Sequence, residues 1–249
     1  VYRTITLCAA QLVFNDGSPA VNLEKHLNVL RLAAGRGVHC VVFPELSLTG
    51  YCVREARARS LAPDAPEIEA LRIACDELGL SAIVGMPLRE GRTLSIAACV
   101  CRPGLSVTMY RKQNLHGEEH TVYTPGSQPC VVPIHGYLAG YAVCADTDNP
   151  VLAMAARELG AELYLAGVVS GERSHADTCA TLEQQARANA MTILMANHAG
   201  PTGRYVGAGG STIWKANGTV AVQGPMHEEC LVICAMDDDG GYAGTVLAL

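Results

Sequence analysis

The chain has 249 residues, of which 49% are hydrophobic and 17% charged, so there is ample material for a buried core, and neither disorder nor a charged coiled coil fits. The formal net charge of -6 argues against nucleic acid or an anionic membrane as partner, because both select clustered Lys and Arg. The 11 cysteines are an odd number scattered through apolar runs, which reads as reduced thiols used as small core residues rather than a disulfide framework.

No stretch approaches the apolar length needed to span a bilayer, and residues 1–11 lack a basic region followed by a long apolar segment, so a cytoplasmic protein is expected. Residues 4–10 read as a strand. Ser18-Pro19 has the form of an N-cap followed by Pro at the first helical position, and Leu23, Leu27, Leu30 and Ala34 then recur on one face. The apolar run 38–43 completes a β-α-β unit. A second helix is expected over 64–78, with Ile68, Leu71, Cys75 and Leu78 on one stripe and Gly79 as its stop, leading into a strand at 82–86. Runs 94–101 and 106–111 flank Pro103-Gly104, and runs 130–134 and 137–143 flank His135-Gly136, so each pair reads as a hairpin.

The pattern then repeats. Asn149-Pro150 opens a helix ending at Gly160, 162–166 is a strand, 177–190 a helix and 192–196 a strand. Runs 211–214 and 219–222 surround the turn Ala216-Asn217-Gly218, and 231–235 closes the series. Hairpins mixed with helical crossovers in both halves fit a layered α/β sandwich better than a barrel of equal βα units, and no Pro- or Ser-rich linker divides the chain.

Three reactive residues stand just beyond such strands, where a loop presents them to a cleft. Glu45 follows Val41-Val42-Phe43-Pro44, Lys112 follows Tyr110-Arg111, and Cys144 follows Gly140-Tyr141-Ala142-Val143. Gathered together they supply a base, a fixed positive charge and a nucleophile. A thiol with a pKa of about 8.5 is mostly protonated at neutral pH, so a carboxylate that takes its proton raises the attacking fraction, and a lysine stabilises the oxyanion that develops. Taken singly, each has a plainer reading as a solvated loop carboxylate, a surface charge or another core thiol. Their local sequence separates them from those readings.

The segment Val41-Val42-Phe43-Pro44-Glu45-Leu46-Ser47-Leu48-Thr49-Gly50-Tyr51, the triplet Tyr110-Arg111-Lys112, and Gly140-Tyr141-Ala142-Val143-Cys144-Ala145-Asp146 resemble, in order and spacing, the three catalytic motifs of the nitrilase, or carbon-nitrogen hydrolase, superfamily. Further agreement comes from Tyr123-Thr124-Pro125-Gly126 and from Leu159-Gly160-Ala161-Glu162-Leu163. The likeness runs from about residue 5 to residue 235. It implies an α/β fold, a four-layer α-β-β-α sandwich, in one hydrolase domain over residues 1–249, with homodimers common in such proteins. Low charge and the apolar C-terminal end, 245–249, which a monomer would prefer to cover, give this indirect support.

The resemblance also implies roles. Glu45 is the general base, Lys112 the oxyanion stabiliser and Cys144 the nucleophile that forms a thioester. Glu119, seven positions before Gly126, orients Lys112 and the substrate or helps the hydrolytic water. The peptide N–H after Cys144 completes the oxyanion site. The expected reaction is hydrolysis of a small non-peptide amide with release of ammonia or an amine, without metal or organic cofactor; nitrile or N-carbamoyl hydrolysis, and ligand binding without turnover, are the alternatives. Ala145 stands where the family has Tyr or Trp, and Asp148-Asn149-Pro150 replaces a Phe-Pro-Glu-like run. Both changes alter the pocket wall and not a catalytic group, so Ala145 is a substrate-binding candidate. Arg173, with Glu172 and His175, follows the strand after the nucleophile and is a second candidate, where a guanidinium can clamp a carboxylate; an exposed charged loop is its plainer reading.

Other motifs are weaker. His116 and His120 are four apart, but Gly117 follows the first in a segment that reads as loop, unlike the helical zinc pattern. Cys99 and Cys101 share one strand face without the second ligand pair of a structural zinc site, and the chain lacks a Cys-x-x-Cys redox pair. Gly207-Ala208-Gly209-Gly210 leads into a strand with no Lys-Ser/Thr after it, so close backbone packing fits better than a phosphate cradle.

Overall fold

The computed structural model describes residues 3–249. In chain order its first half holds β1 (Thr4–Gln11), α1 (Pro19–Ala34), β2 (Cys40–Val42), the single turn α2 (Ala56–Arg59), α3 (Pro66–Leu78), β3 (Ser81–Glu90), β4 (Thr93–Cys101) and β5 (Thr108–Arg111). The second half holds β6 (Val131–Ile134), β7 (Tyr137–Val143), α4 (Pro150–Glu158), β8 (Leu163–Val168), α5 (Glu172–Asn189) and β9 (Thr192–Asn197). It continues through the small hairpin β10 (Pro201–Thr202) and β11 (Tyr205–Val206) to β12 (Thr212–Trp214), β13 (Val220–Gln223), β14 (Cys230–Asp237) and β15 (Tyr242–Ala248).

Local chemistry accounts for the helix ends. Pro19 occupies the first turn of α1 after an extended Ser18, Gly79 ends α3 in the left-handed conformation, and the Asn149 side chain accepts the Val151 N–H at the start of α4. Two sheets result. One has the order β15-β14-β1-β2-β3-β4-β5 and the other β13-β12-β9-β8-β7-β6. In each, three neighbouring strands run parallel, β1-β2-β3 and β7-β8-β9, joined through helical crossovers, with antiparallel partners outside them.

Alternation along the strands divides the core. Ile5, Leu7 and Ala9 of β1 join Leu163 and Leu165 of β8 in the layer between the sheets. Cys8 and Ala10 point the other way and pack with Leu30 of α1 and Leu71 of α3, while Tyr164, Ala166 and Val168 meet Ala153 of α4 and Leu182 of α5. Helices therefore cover the outer face of each sheet, giving the expected four-layer α-β-β-α sandwich. All 11 cysteines are free thiols, and Cys8, Cys40, Cys75, Cys99, Cys101, Cys230 and Cys234 are buried within these layers.

Three expectations need correction. The strand expected over 38–43 is confined to Cys40–Val42, because the chain leaves the sheet to form the loop that carries Glu45. The helix expected over 177–190 begins five residues earlier, at Glu172, after an extended Gly171, so Glu172, Arg173 and His175 stand on its opening turns and not on a loop. The strand series closes with β15 rather than at 231–235. β15 pairs antiparallel with β14 at the sheet edge and is mostly exposed, so it lacks the alternating burial that marks a strand in sequence.

The outer layer is tight at Gly140 of β7, where an added Cβ would lie 2.7 Å from the Ala156 Cβ of α4. Gly140→Ala is expected to push α4 off the sheet and lower stability by roughly 1–3 kcal/mol. A lowered urea midpoint checks this, and an unchanged midpoint contradicts it.

Candidate active site

The parallel strands of the two sheets end at a common cleft. Glu45 lies on the loop after β2, Lys112 directly follows β5, Cys144 directly follows β7, and Glu119 lies in a short turn of 3-10 helix, Gly117–Thr121. The loop carrying Glu45 is wedged between the sheets. A Cβ on Gly85 of β3 would lie 2.4 Å from the Leu46 nitrogen and 2.5 Å from the Pro44 oxygen, and one on Gly167 of β8 would lie 2.5 Å from the Phe43 oxygen. Only glycine on both sides lets this backbone pass.

The loop is also pinned by neutral histidines. Burial lowers His198 to about 4, so its Nε2–H donates to the Glu45 carbonyl at 2.7 Å. Burial lowers His26 to about 3; its Nδ1–H donates to the Asn22 carbonyl, leaving Nε2 to accept the Ser47 hydroxyl at 2.9 Å.

Lys112 is fully buried, with Glu45 and Glu119 each at most 1% exposed. Its Nζ donates to Glu45 Oε1 at 2.6 Å and to Glu119 Oε1 at 2.8 Å. Burial works against its charge, but Glu45 and then Cys144 and Glu119 outweigh that and hold its pKa well above the ordinary lysine value. Glu119 is fixed in turn by the Tyr51 hydroxyl, which donates to Oε1, and by the His116 backbone N–H, which donates to Oε2 at 2.8 Å. Burial raises Glu45 to about 7 against the opposing pull of Lys112. Its Oε2 is buried and has no hydrogen-bond partner among the described residues.

Cys144 opens a turn of 3-10 helix, Cys144–Asp148, with φ of 46°, a left-handed conformation that costs a non-glycine residue about 1–3 kcal/mol. Asp146 holds the turn. Its Oδ2 accepts the Val143 N–H at 3.0 Å and the Tyr110 hydroxyl at 2.8 Å, and its Oδ1 accepts the N–H groups of Gln113 at 3.0 Å and Asn114 at 2.7 Å. One buried carboxylate thus ties the backbone before Cys144 to the backbone just after Lys112. Cys144 is partly exposed as a residue, but burial of its thiol, with the nearby Glu45 carboxylate second, pushes the pKa up, so it rests as a thiol.

Glu45, Glu119 and Cys144 line a cavity of about 960 Å³, together with Ala145 and Arg173. All the sequence candidates except fully buried Lys112 therefore reach its wall, and Lys112 touches it through its two carboxylate partners. Tyr51, Asp146 and His198 are contributions that sequence reasoning missed. The first two lie inside the recognised motifs, but nothing local names their partners; His198 follows a strand and carries no local signal. Among the described residues, no group of three or more His, Cys, Asp or Glu side chains has an arrangement that can hold a metal ion. His116 caps the turn that carries Glu119, and His120 is exposed.

The family profile for carbon-nitrogen hydrolases matches residues 4–242, and the chain belongs to this family. Its fold is that of nitrilase-superfamily amidases: it superposes on an amidase from Nesterenkonia sp. AN1 with a TM-score of 0.87 at 25% identity, covering 95% of this chain and 92% of the other. It is 28% identical to an (R)-stereoselective amidase from Pseudomonas sp., over 85% of this chain and 75% of that one. It is also 27% identical to a glutamine-dependent NAD(+) synthetase from Thermotoga maritima, where the match covers 95% of this chain but 43% of the synthetase. The chain thus spans less than half the length of that relative.

Lys112→Met leaves two buried carboxylates without their shared cation, which is expected to lower stability by about 3–5 kcal/mol at neutral pH. The deficit should shrink as pH falls, because protonating Glu45 removes one of the opposed charges. Urea unfolding from pH 8 to 5 checks the sign; a deficit that grows toward acid contradicts the arrangement.

Proposed function

We propose that the protein hydrolyses a carbon-nitrogen bond of a small non-peptide amide through a thioester on Cys144, releasing ammonia or an amine. The observation that carries this reading is the Lys112 ammonium clamped between Glu45 and Glu119, beside a thiol that shares one cavity with both carboxylates. The amidases among the similar proteins support an amide as the substrate.

In this mechanism the ionised Glu45 takes the thiol proton as Sγ attacks the amide carbonyl carbon. The carbonyl oxygen becomes an oxyanion, stabilised by the Lys112 ammonium and the Ala145 backbone N–H. The oxyanion collapses, the C–N bond breaks, and Glu45 returns its proton to the departing nitrogen. Water then attacks the thioester carbonyl while Glu45 accepts its proton; the C–S bond breaks, the acid leaves, and the proton passes back to the sulfur. Lys112 stays charged throughout, and Glu119 with Tyr51 keeps it aimed. Ala145 lines the cavity beside the nucleophile, where its small side chain leaves room for the acyl group.

Wild-type protein supplied with an amide panel is expected to release ammonia and, when quenched in acid during turnover, to carry an acyl mass on Cys144; Cys144→Ala should lose both. Acyl groups found only on other cysteines contradict the assignment. Glu45, raised to about 7, must be ionised to accept the proton. The rate constant kcat/KM should therefore rise with pH through about 7 and fall away below it, and a profile flat from pH 5 to 8 rules out Glu45 as the base.

A further inference from the structure

Tyr51, which fixes Glu119, is itself held from outside the site. Its backbone N–H donates to the Thr202 hydroxyl at 2.9 Å, and Thr202 is fully buried. Thr202 belongs to β10 and pairs with Tyr205 of β11. The Tyr205 ring meets the Tyr51 ring edge-on, with centroids 4.9 Å apart. At the hairpin tip Gly203 has a φ of 57°, and a Cβ there would collide with the Tyr51 carbonyl oxygen, so glycine is required on both counts. The hairpin thus grips Tyr51 at its N–H, its carbonyl and its ring.

Asp16 anchors the hairpin in turn. Its Oδ2 accepts the Gly203 N–H at 2.6 Å and its Oδ1 the Thr202 hydroxyl at 3.4 Å, so Thr202 accepts from Tyr51 while donating to Asp16. A second tie, Arg204 to Glu118 at 2.6 Å, joins the tip to the turn that carries Glu119, but both side chains are more than half exposed, and such a pair is worth little. The firmer route runs from Asp16 through Thr202 to the Tyr51 backbone, and from the Tyr51 hydroxyl through Glu119 to Lys112. A tyrosine hydroxyl stands at the end of a rigid ring, so a small backbone rotation is enlarged at the oxygen. Displacing a charge near the reacting atoms costs rate out of proportion to the movement.

We propose that Thr202 is a positioning residue for amide hydrolysis: it sets the Tyr51 backbone and thereby the place where Glu119 holds the Lys112 ammonium. This role rests on the amidase reading and extends it to a residue that does not line the cavity.

The test measures kcat and KM with whichever of acetamide, butyramide, benzamide and glutaramate wild type cleaves fastest. Lys112 acts on an oxyanion that exists only along the reaction, so misplacing it lowers kcat and leaves KM nearly unchanged. Thr202→Val keeps the side-chain shape but cannot accept the Tyr51 N–H; it should lower kcat about tenfold with KM within about twofold, and Thr202→Ser, which keeps the hydroxyl, should restore most of the loss. Tyr51→Phe should cost a similar factor, and the Thr202→Val/Tyr51→Phe double variant no more than Tyr51→Phe alone, because both break one route. Should Thr202→Val fail to fold, Asp16→Ala replaces it: Asp16 is exposed, and kcat is expected to fall about threefold, with no further fall on the Tyr51→Phe background. An unchanged kcat in Thr202→Val, or a serine variant no better than the valine one, overturns the positioning role. Losses that multiply in the double variant overturn the route through Tyr51. No ammonia from any of the four amides in wild type, with no acyl group on Cys144, overturns the amidase reading and this role together.

Discussion

Burying the Lys112 ammonium without water is costly unless several acceptors reach it at once, and much of the surrounding architecture meets that requirement. Glu45 and Glu119 supply the acceptors, Tyr51 and the His116 N–H fix Glu119, and His198 fixes the Glu45 backbone. The same arrangement sets the charge states within the cluster. With Lys112 held as a cation and Glu45 lifted toward neutrality by burial, a permanent positive charge and a titratable base sit side by side.

Rigidity is supplied by backbone contacts as well as side chains. The wedged loop between Gly85 and Gly167 and the turn held by Asp146 bring together groups that start in different sheets. Cys144 keeps an unfavourable backbone conformation because Asp146 accepts from residues on both sides of the cleft. Conformational cost at Cys144 is carried by a buried polar network that has little freedom to relax.

Much of this was legible in the sequence, and what was missed shares a physical cause. Helix caps such as Ser18-Pro19 and Asn149-Pro150 and the two-faced strands are local signals, so their elements were found. The edge strand β15 buries little and shows no alternation, and the start of α5 was hidden because its first turns are polar on the side that lines a cavity. For the site, Glu45, Lys112, Glu119 and Cys144 were named from motifs, and the structure brings all four together. Their supports were not, because the reach of Asp146 to Asn114, or of His198 to Glu45, depends on contacts between distant segments.

The twofold use of a parallel β-α-β-α-β unit divides the buried cluster between two halves of the chain. Glu45 and Lys112 belong to the first unit's sheet, and Cys144 belongs to the second. Neither half alone holds all three. These three side chains can therefore meet only when the two sheets pack on each other. The contact between the sheets is thus what assembles the buried cluster, with no separate element given over to it.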